Sequence, residues 1–247
     1  MPAVLASRIA SADAAYRRGQ AHMTDQEFDA LMAKLRATQP DHPLLRMPGG
    51  GDKLLSLGNQ DLDDWLADIG PAAAGRFTIT PKVDGCALAL RYVDGVLRGA
   101  WTRSGKCALR VAILVPSIPV TVAAEGTFEV RGELYGLDHK QSTPAAALRR
   151  KVASGDGLAF IAFEVMSAPA LAHSEQLRQL DDLGFDGATR LITSDHDQLR
   201  DAHTQWKLGK AWPHLPTDGV VINVDAASER CRLGVTSVAP RYALAMK

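Results

Sequence analysis

The chain has 247 residues, 46% of them apolar and 23% charged, and its 28 Lys plus Arg balance 28 Asp plus Glu. No apolar run is long enough to span a bilayer, and the N-terminus lacks the basic stretch and apolar core of a secretory signal, so a cytoplasmic protein of one large domain, or one domain with a small appendage, is expected. The absence of a basic surplus argues against a protein that grips duplex DNA by itself, because neutralising phosphates is what drives that affinity.

The first predicted elements are helical. Val4, Leu5, Ile9 and Ala12 fall near helical spacing and lead into Tyr16. Thr24 and Glu27 form a capping box, and Phe28, Leu31, Met32 and Leu35 follow as an amphipathic stripe that Pro40 and Pro43 end. Met47-Pro48-Gly49-Gly50-Gly51 reads as a joint. It divides the chain into a helical part, 1–50, and a larger part, 51–247.

In the larger part Leu62, Trp65, Leu66 and Ile69 suit a short helix. Extended runs follow at Phe77–Ile79, Ala87–Val93 and Val96–Thr102, and the Asp94-Gly95 pair between the last two predicts a tight hairpin. Further strands are predicted at Thr127–Tyr135, Leu158–Val165, Gly219–Val224 and Tyr242–Met246. Helices are predicted at Ala145–Val152, Ser174–Leu183 and Asp195–Leu208. Irregular mixing of helices and strands around a hairpin argues for an α+β fold. Cys86, Cys107 and Cys231 include no Cys-x-x-Cys pair, which argues against a structural zinc and fits free thiols.

The chemistry centres on Thr80-Pro81-Lys82-Val83-Asp84-Gly85. A lysine at the end of a strand becomes a nucleophile if its surroundings favour the neutral amine. Downstream stand Thr102-Arg103-Ser104-Gly105, Val130-Arg131-Gly132-Glu133-Leu134-Tyr135, Phe160-Ile161-Ala162-Phe163, Asp218-Gly219-Val220-Val221-Ile222 and Ala239-Pro240-Arg241 through Lys247. Alternation along the second of these places Glu129, Arg131 and Glu133 on one face and Val130 and Leu134 on the other.

In this order the segments resemble the bacterial NAD-dependent DNA ligases, including their shorter B-type relatives. The likeness covers nearly the whole chain and the front half of a typical family member. It implies a nucleotidyltransferase (ATP-grasp-like) domain of antiparallel sheets flanked by helices, preceded by a small helical domain that holds nicotinamide mononucleotide (NMN). By this resemblance Lys82 attacks the α-phosphate of NAD, becomes lysyl-AMP and releases NMN, for later transfer of AMP to a DNA 5′-phosphate. Only a neutral amine attacks, so its pKa would have to fall from ~10.4 towards ~7–8.

The other implied roles follow the motifs. Asp84 completes the Lys-x-Asp-Gly motif, and Arg103 contacts ribose or phosphate. Glu133 binds ribose or Mg2+. Phe163 stacks on the adenine with Val221 against its other face. Asp218 holds Mg2+ or orients Lys82, and Lys247 reaches the α-phosphate. Ser56 and Leu57 line the adenosine pocket. Tyr16, Asp25, Phe28 and Asp29 surround NMN, and Arg149 and Arg150 touch nicked DNA. Four departures stand out: Phe28 replaces a tyrosine, Arg17 a histidine and Asn223 a lysine, and the loop after Arg103 is trimmed. Asn223, expected near a phosphate, leaves open a relative that binds NAD or AMP without turnover; a nucleotidyltransferase with another acceptor is also open. The family's OB-fold, zinc module, helix-hairpin-helix repeats and BRCT domain lie beyond its last motif, so weak binding of nicked DNA is expected of this chain alone.

Overall fold

The computed structural model describes residues 5–9, 11–12, 23, 25–39, 57–58, 60–71, 73, 75–137, 143–186, 190–235 and 239–247. Within the first long helix several side chains, including those of Asp25, Phe28 and Asp29, lie outside the described set. That helix, α1 (Asp25–Thr38), follows helical turns at residues 5–9 and 11–12. Its predicted stripe packs as expected: Leu35 and Ile9 are buried together, with Leu5 and Leu31 against them.

Two four-stranded antiparallel sheets form the larger part. The first has the order β6-β1-β7-β8, from β1 (Phe77–Val83), β6 (Leu191–Thr193), β7 (Thr217–Val224) and β8 (Ala243–Met246). The second has the order β3-β2-β4-β5, from β2 (Cys86–Val93), β3 (Val96–Thr102), β4 (Thr127–Gly136) and β5 (Leu158–Val165). The β2–β3 turn is the predicted hairpin: Asp94 and Gly95 both adopt positive φ, 47° and 73°, the mirror-image turn that matches strand twist. Pro81 is tolerated inside β1 because pairing with β6 stops at Ile79, so the strand is an edge where the N–H is missing.

Each sheet buries one face in its own core. On β7, Val220, Ile222 and Val224 point into a cluster with Phe77, Ile79 and Leu244, closed by α2 (Leu62–Ile69) and Leu199 of α6 (His196–Lys207). The second sheet packs Leu88, Leu90, Val130, Leu134 and Phe160 against Leu177 and Leu180 of α5 (His173–Asp182). The period-2 alternation of strands leaves the intervening residues facing a cavity between the sheets. Among the described residues no helix is long and apolar enough to cross a membrane.

Three short elements were not anticipated: α3 (Leu109–Ala112), strand β6, and α7 (Ala227–Leu233). The helix expected over Ala145–Val152 is also corrected. Helix α4 spans only Pro144–Ala147, starting on the Thr143 cap. Arg149 and Arg150 then donate to Ala146 and Ala147 in tighter three-residue turns. The Lys151 carbonyl accepts from Arg110, and residues 151–157 form bends and turns that lead into β5.

Candidate active site

A cavity of about 790 Å3 lies between the sheets, and Lys82 projects into it from the end of β1. The local register explains the aim of its partner. Lys82 pairs with Gly219 but Val83 pairs with Thr217, so Asp218 is an extra residue on β7. Such a bulge turns a side chain out of the regular pleat. The Asp218 carboxylate thereby meets two ammonium groups: Lys82 Nζ donates to Oδ1 at 2.6 Å, and Lys247 Nζ lies 2.7 Å from Oδ2. Burial works against this carboxylate, yet the hydrogen bonds from Lys247 and Lys82 outweigh it and hold the carboxyl below its ordinary range. The same contact raises the Lys247 ammonium above the usual lysine value.

Glycines permit this closeness. A Cβ on Gly219 would lie 2.3 Å from the Met246 carbonyl oxygen and 3.4 Å from Cδ of Lys82. One on Gly85 would lie 2.1 Å from the Leu134 carbonyl oxygen, so the Asp84-Gly85 crossing rests directly on β4. That brings Glu133 of β4 to the amine's side of the cavity. Burial pushes the Glu133 carboxyl up to about 7, against the opposing charges of Arg103 and Lys82 and with help from Asp84 and Asp218. The Cys86 thiol is likewise raised, by burial first and by Glu133 second.

The other end of the cavity is built from a second bulge. Arg131 pairs with Glu164 but Gly132 with Ala162, leaving Phe163 as the extra residue on β5. Phe163 and Val221 both line the cavity. Next to them, Glu164 is held from two sides by Arg131 at 3.1 Å and Arg230 at 3.0 Å. Burial alone would raise its carboxyl, but the two guanidinium groups reverse the direction and lower it. Asn223 shares the Val221 face, four residues beyond the partner of Lys82, about 13 Å along the strand. It therefore lies at the end of the cavity away from the amine. The expected hydrogen bond to a phosphate within reach of Lys82 does not fit this register.

Most of the residues singled out in the sequence come together here. Lys82, Asp84, Glu133, Lys247, Arg103, Leu57, Phe163 and Val221 line the cavity, and Asp218 joins them through its two lysines. Leu57 arrives because Gly58 bridges to Leu244 on the β8 edge. Arg149 and Arg150 are exposed and outside the lining, although Arg149 is close enough for its charge to act on Cys86. Tyr16 and Ser56, and the side chains of Asp25, Phe28 and Asp29, lie outside the described residues. The lining also includes Thr80, Arg131, Glu164, His173, Arg230 and Tyr242, which were not foreseen. Thr80 and Arg131 stand two residues before Lys82 and Glu133 on the same strand faces, a usable signal. Arg230 sits on a helix the sequence did not announce.

Comparison with known proteins matches these elements. The family described as "NAD-dependent DNA ligase adenylation domain" matches residues 52–142 and 142–247. The DNA ligase of Anoxybacillus flavithermus (strain DSM 21510 / WK1) is 30% identical over 285 residues, covering 94% of this chain and 42% of that protein. That of Jannaschia sp. (strain CCS1) is 31% identical over 307 residues, covering 99% and 41%. The chain thus spans less than half the length of these relatives. A solved structure named "Pmar-Lig_PreS3" shares the fold at a TM-score of 0.56 and 12% identity, over 92% of this chain and 52% of that one. With the Lys-x-Asp-Gly lysine, Glu133, Asp218 and Lys247 gathered at one cavity and the family match running from residue 52 to the end, this chain belongs to the NAD-dependent DNA ligase adenylation domain family.

Proposed function

We propose that this chain takes NAD, transfers its AMP to Lys82 and releases NMN, and that the charged lysine then passes AMP to a DNA 5′-phosphate at a nick. The observation that carries the reading is one carboxylate, Asp218, held by both Lys82 and Lys247 at the wall of a cavity that also contains Glu133. In the transfer the Lys82 ammonium first loses a proton to solvent, its freed lone pair forms a bond to the α-phosphorus, and the second proton is lost to solvent as the neutral phosphoramidate N–H forms. The bond from that phosphorus to the bridging oxygen breaks, and NMN leaves with the electron pair. Asp218 orients the amine, and Lys247 places positive charge beside the site where phosphate charge develops. Phe163 and Val221 take the two faces of the adenine, and Arg103 and Leu57 meet the rest of the nucleotide. Residues 1–50 form the separate helical part that holds NMN through Tyr16, Asp25, Phe28 and Asp29, while Arg149 and Arg150 face the nicked strand.

Glu133 and Asp218 do not by themselves fit a magnesium site. Both Asp218 oxygens are taken by lysines, and among the described residues no three His, Cys, Asp or Glu side chains gather as metal ligands. The test is intact mass after incubation with NAD, or with ATP, in the presence of magnesium. A gain of one AMP with NAD and none with ATP is expected. No gain with NAD, under conditions that charge a standard member of the family, contradicts the reading.

A further inference from the structure

The bulge that puts Phe163 into the cavity also removes its backbone from the β4–β5 ladder, and a bulged residue needs another partner for its polar groups. That partner is a side chain. His173, at the start of α5 and buried, has Nε2 3.1 Å from the Phe163 carbonyl oxygen. A carbonyl only accepts, so Nε2 carries the proton. Nδ1 is then an acceptor, and it receives the hydroxyl of Thr78 at 2.5 Å. Thr78 is fully buried on β1, the strand that carries Lys82. One imidazole therefore ties the bulge of the second sheet to the first sheet.

Its own backbone is fixed as well. The His173 N–H donates to the Asp225 carbonyl, and the Ser174 N–H to the Asp225 carboxylate at 2.7 Å. One turn on, Gln176 accepts from the Val165 N–H, two residues past the bulge. Burial, reinforced by the charge of Arg230, drives the imidazole down to about 4, so it stays neutral and its donor and acceptor roles stay fixed at neutral pH.

We propose that His173 is a positioning residue: by holding the bulged Phe163 from the opposite sheet, it sets the gap between Phe163 and Val221 into which a nucleobase fits. This rests on the reading of the cavity as a nucleotide site. His173 touches no reacting atom. Its loss acts on recognition of the base and spares the chemistry at Lys82.

The test compares wild type with His173→Leu, His173→Gln and Thr78→Val in the full chain. Binding of AMP and of ribose 5-phosphate is measured by competition, together with the KM and kcat of Lys82 charging by NAD. A glutamine amide offers an N–H donor group and an acceptor oxygen that can stand in for the N–H and the bare nitrogen of the neutral imidazole. The Leu variant is expected to lose about tenfold in AMP affinity, the scale of one buried hydrogen bond. Its ribose 5-phosphate affinity and its kcat at saturating NAD stay near wild type, while KM rises. Gln restores AMP binding to within roughly threefold, and Thr78→Val, which keeps the fold's shape, shows a smaller loss of the same kind. Three results overturn the proposal: unchanged AMP affinity in both the Leu and Val variants, equal loss of AMP and ribose 5-phosphate, or a Gln variant no better than Leu. If the Leu variant does not fold, the Gln and Val variants decide. A wild type that binds neither AMP nor NAD removes the nucleotide reading itself, and the positioning role with it. That outcome is distinct from a wild type that binds and variants that bind equally well.

Discussion

A carboxylate between two ammonium groups is a strong local preference in a half-buried place. Removing one lysine leaves Asp218 with the other; removing Asp218 leaves two like charges facing each other across the space it filled. Glu133, in contrast, holds its proton to higher pH because of burial, with its carboxyl at about 7 against an ordinary 4.5. Between those values the folded protein binds more protons than the unfolded chain, so the Glu133 contribution to stability is complete below about 4.5 and is lost as pH rises through about 7. His173 acts in the opposite sense over about 4 to 6.5, but it is present in wild type and variant alike and cancels in their difference. Glu133→Gln mimics the protonated acid. Relative to wild type, its stability is expected to be nearly equal at pH 4 and to climb with pH, levelling above pH 7 at a gain of roughly 3 kcal/mol or less. Thermal unfolding of both proteins from pH 4 to 8 checks this, and a difference that does not vary with pH contradicts it.

At the scale of elements, both ends of the cavity are made by one extra residue in a strand: Asp218 on β7 and Phe163 on β5. The β7 bulge works only because β8 lies close over Gly219. Gly219→Ala is expected to push its Cβ into the Met246 carbonyl, lift Lys247 from Asp218 and cost about 1–3 kcal/mol. The measurable results are a lower Tm and slower charging of Lys82; a variant within about 0.5 kcal/mol of wild type contradicts the close packing. Strands were legible where apolar and polar residues alternate, as along Phe128-Glu129-Val130-Arg131, and where a short, almost wholly apolar run is buried, as in Leu158–Val165. The bulges were not, since one added residue leaves the composition of a strand unchanged. The segment Leu148-Arg149-Arg150-Lys151 reads as helix from propensity alone, yet the turn back into β5 overrides it. Strand β6 is three residues long with Leu191 and Ile192 exposed, too short to show a pattern.

For the whole molecule, the cores show which parts depend on one another. The clusters under the two sheets draw on residues from Leu62 onward, while Ile9 and Leu35 form a cluster of their own. Removing residues 1–50 is therefore expected to leave 51–247 folded and able to bind AMP, while charging by NAD is lost. Calorimetric binding of AMP beside intact mass after NAD treatment checks both halves, and a truncated chain that charges as fast as wild type contradicts the division of labour. The reactive end of the site was readable because its residues come as short motifs around Lys82, Glu133 and Asp218. The far end was not: Glu164, His173 and Arg230 stand singly on three different elements and meet only through the packing of the sheets.

The central claim is that, of the two lysines sharing Asp218, the one on β1 takes the nucleotide. After treatment with NAD, proteolysis and tandem mass spectrometry locate the added AMP along the chain. A phosphoramidate on Lys82, with Lys247 unmodified, is the predicted result. AMP on Lys247 or elsewhere with Lys82 free contradicts it.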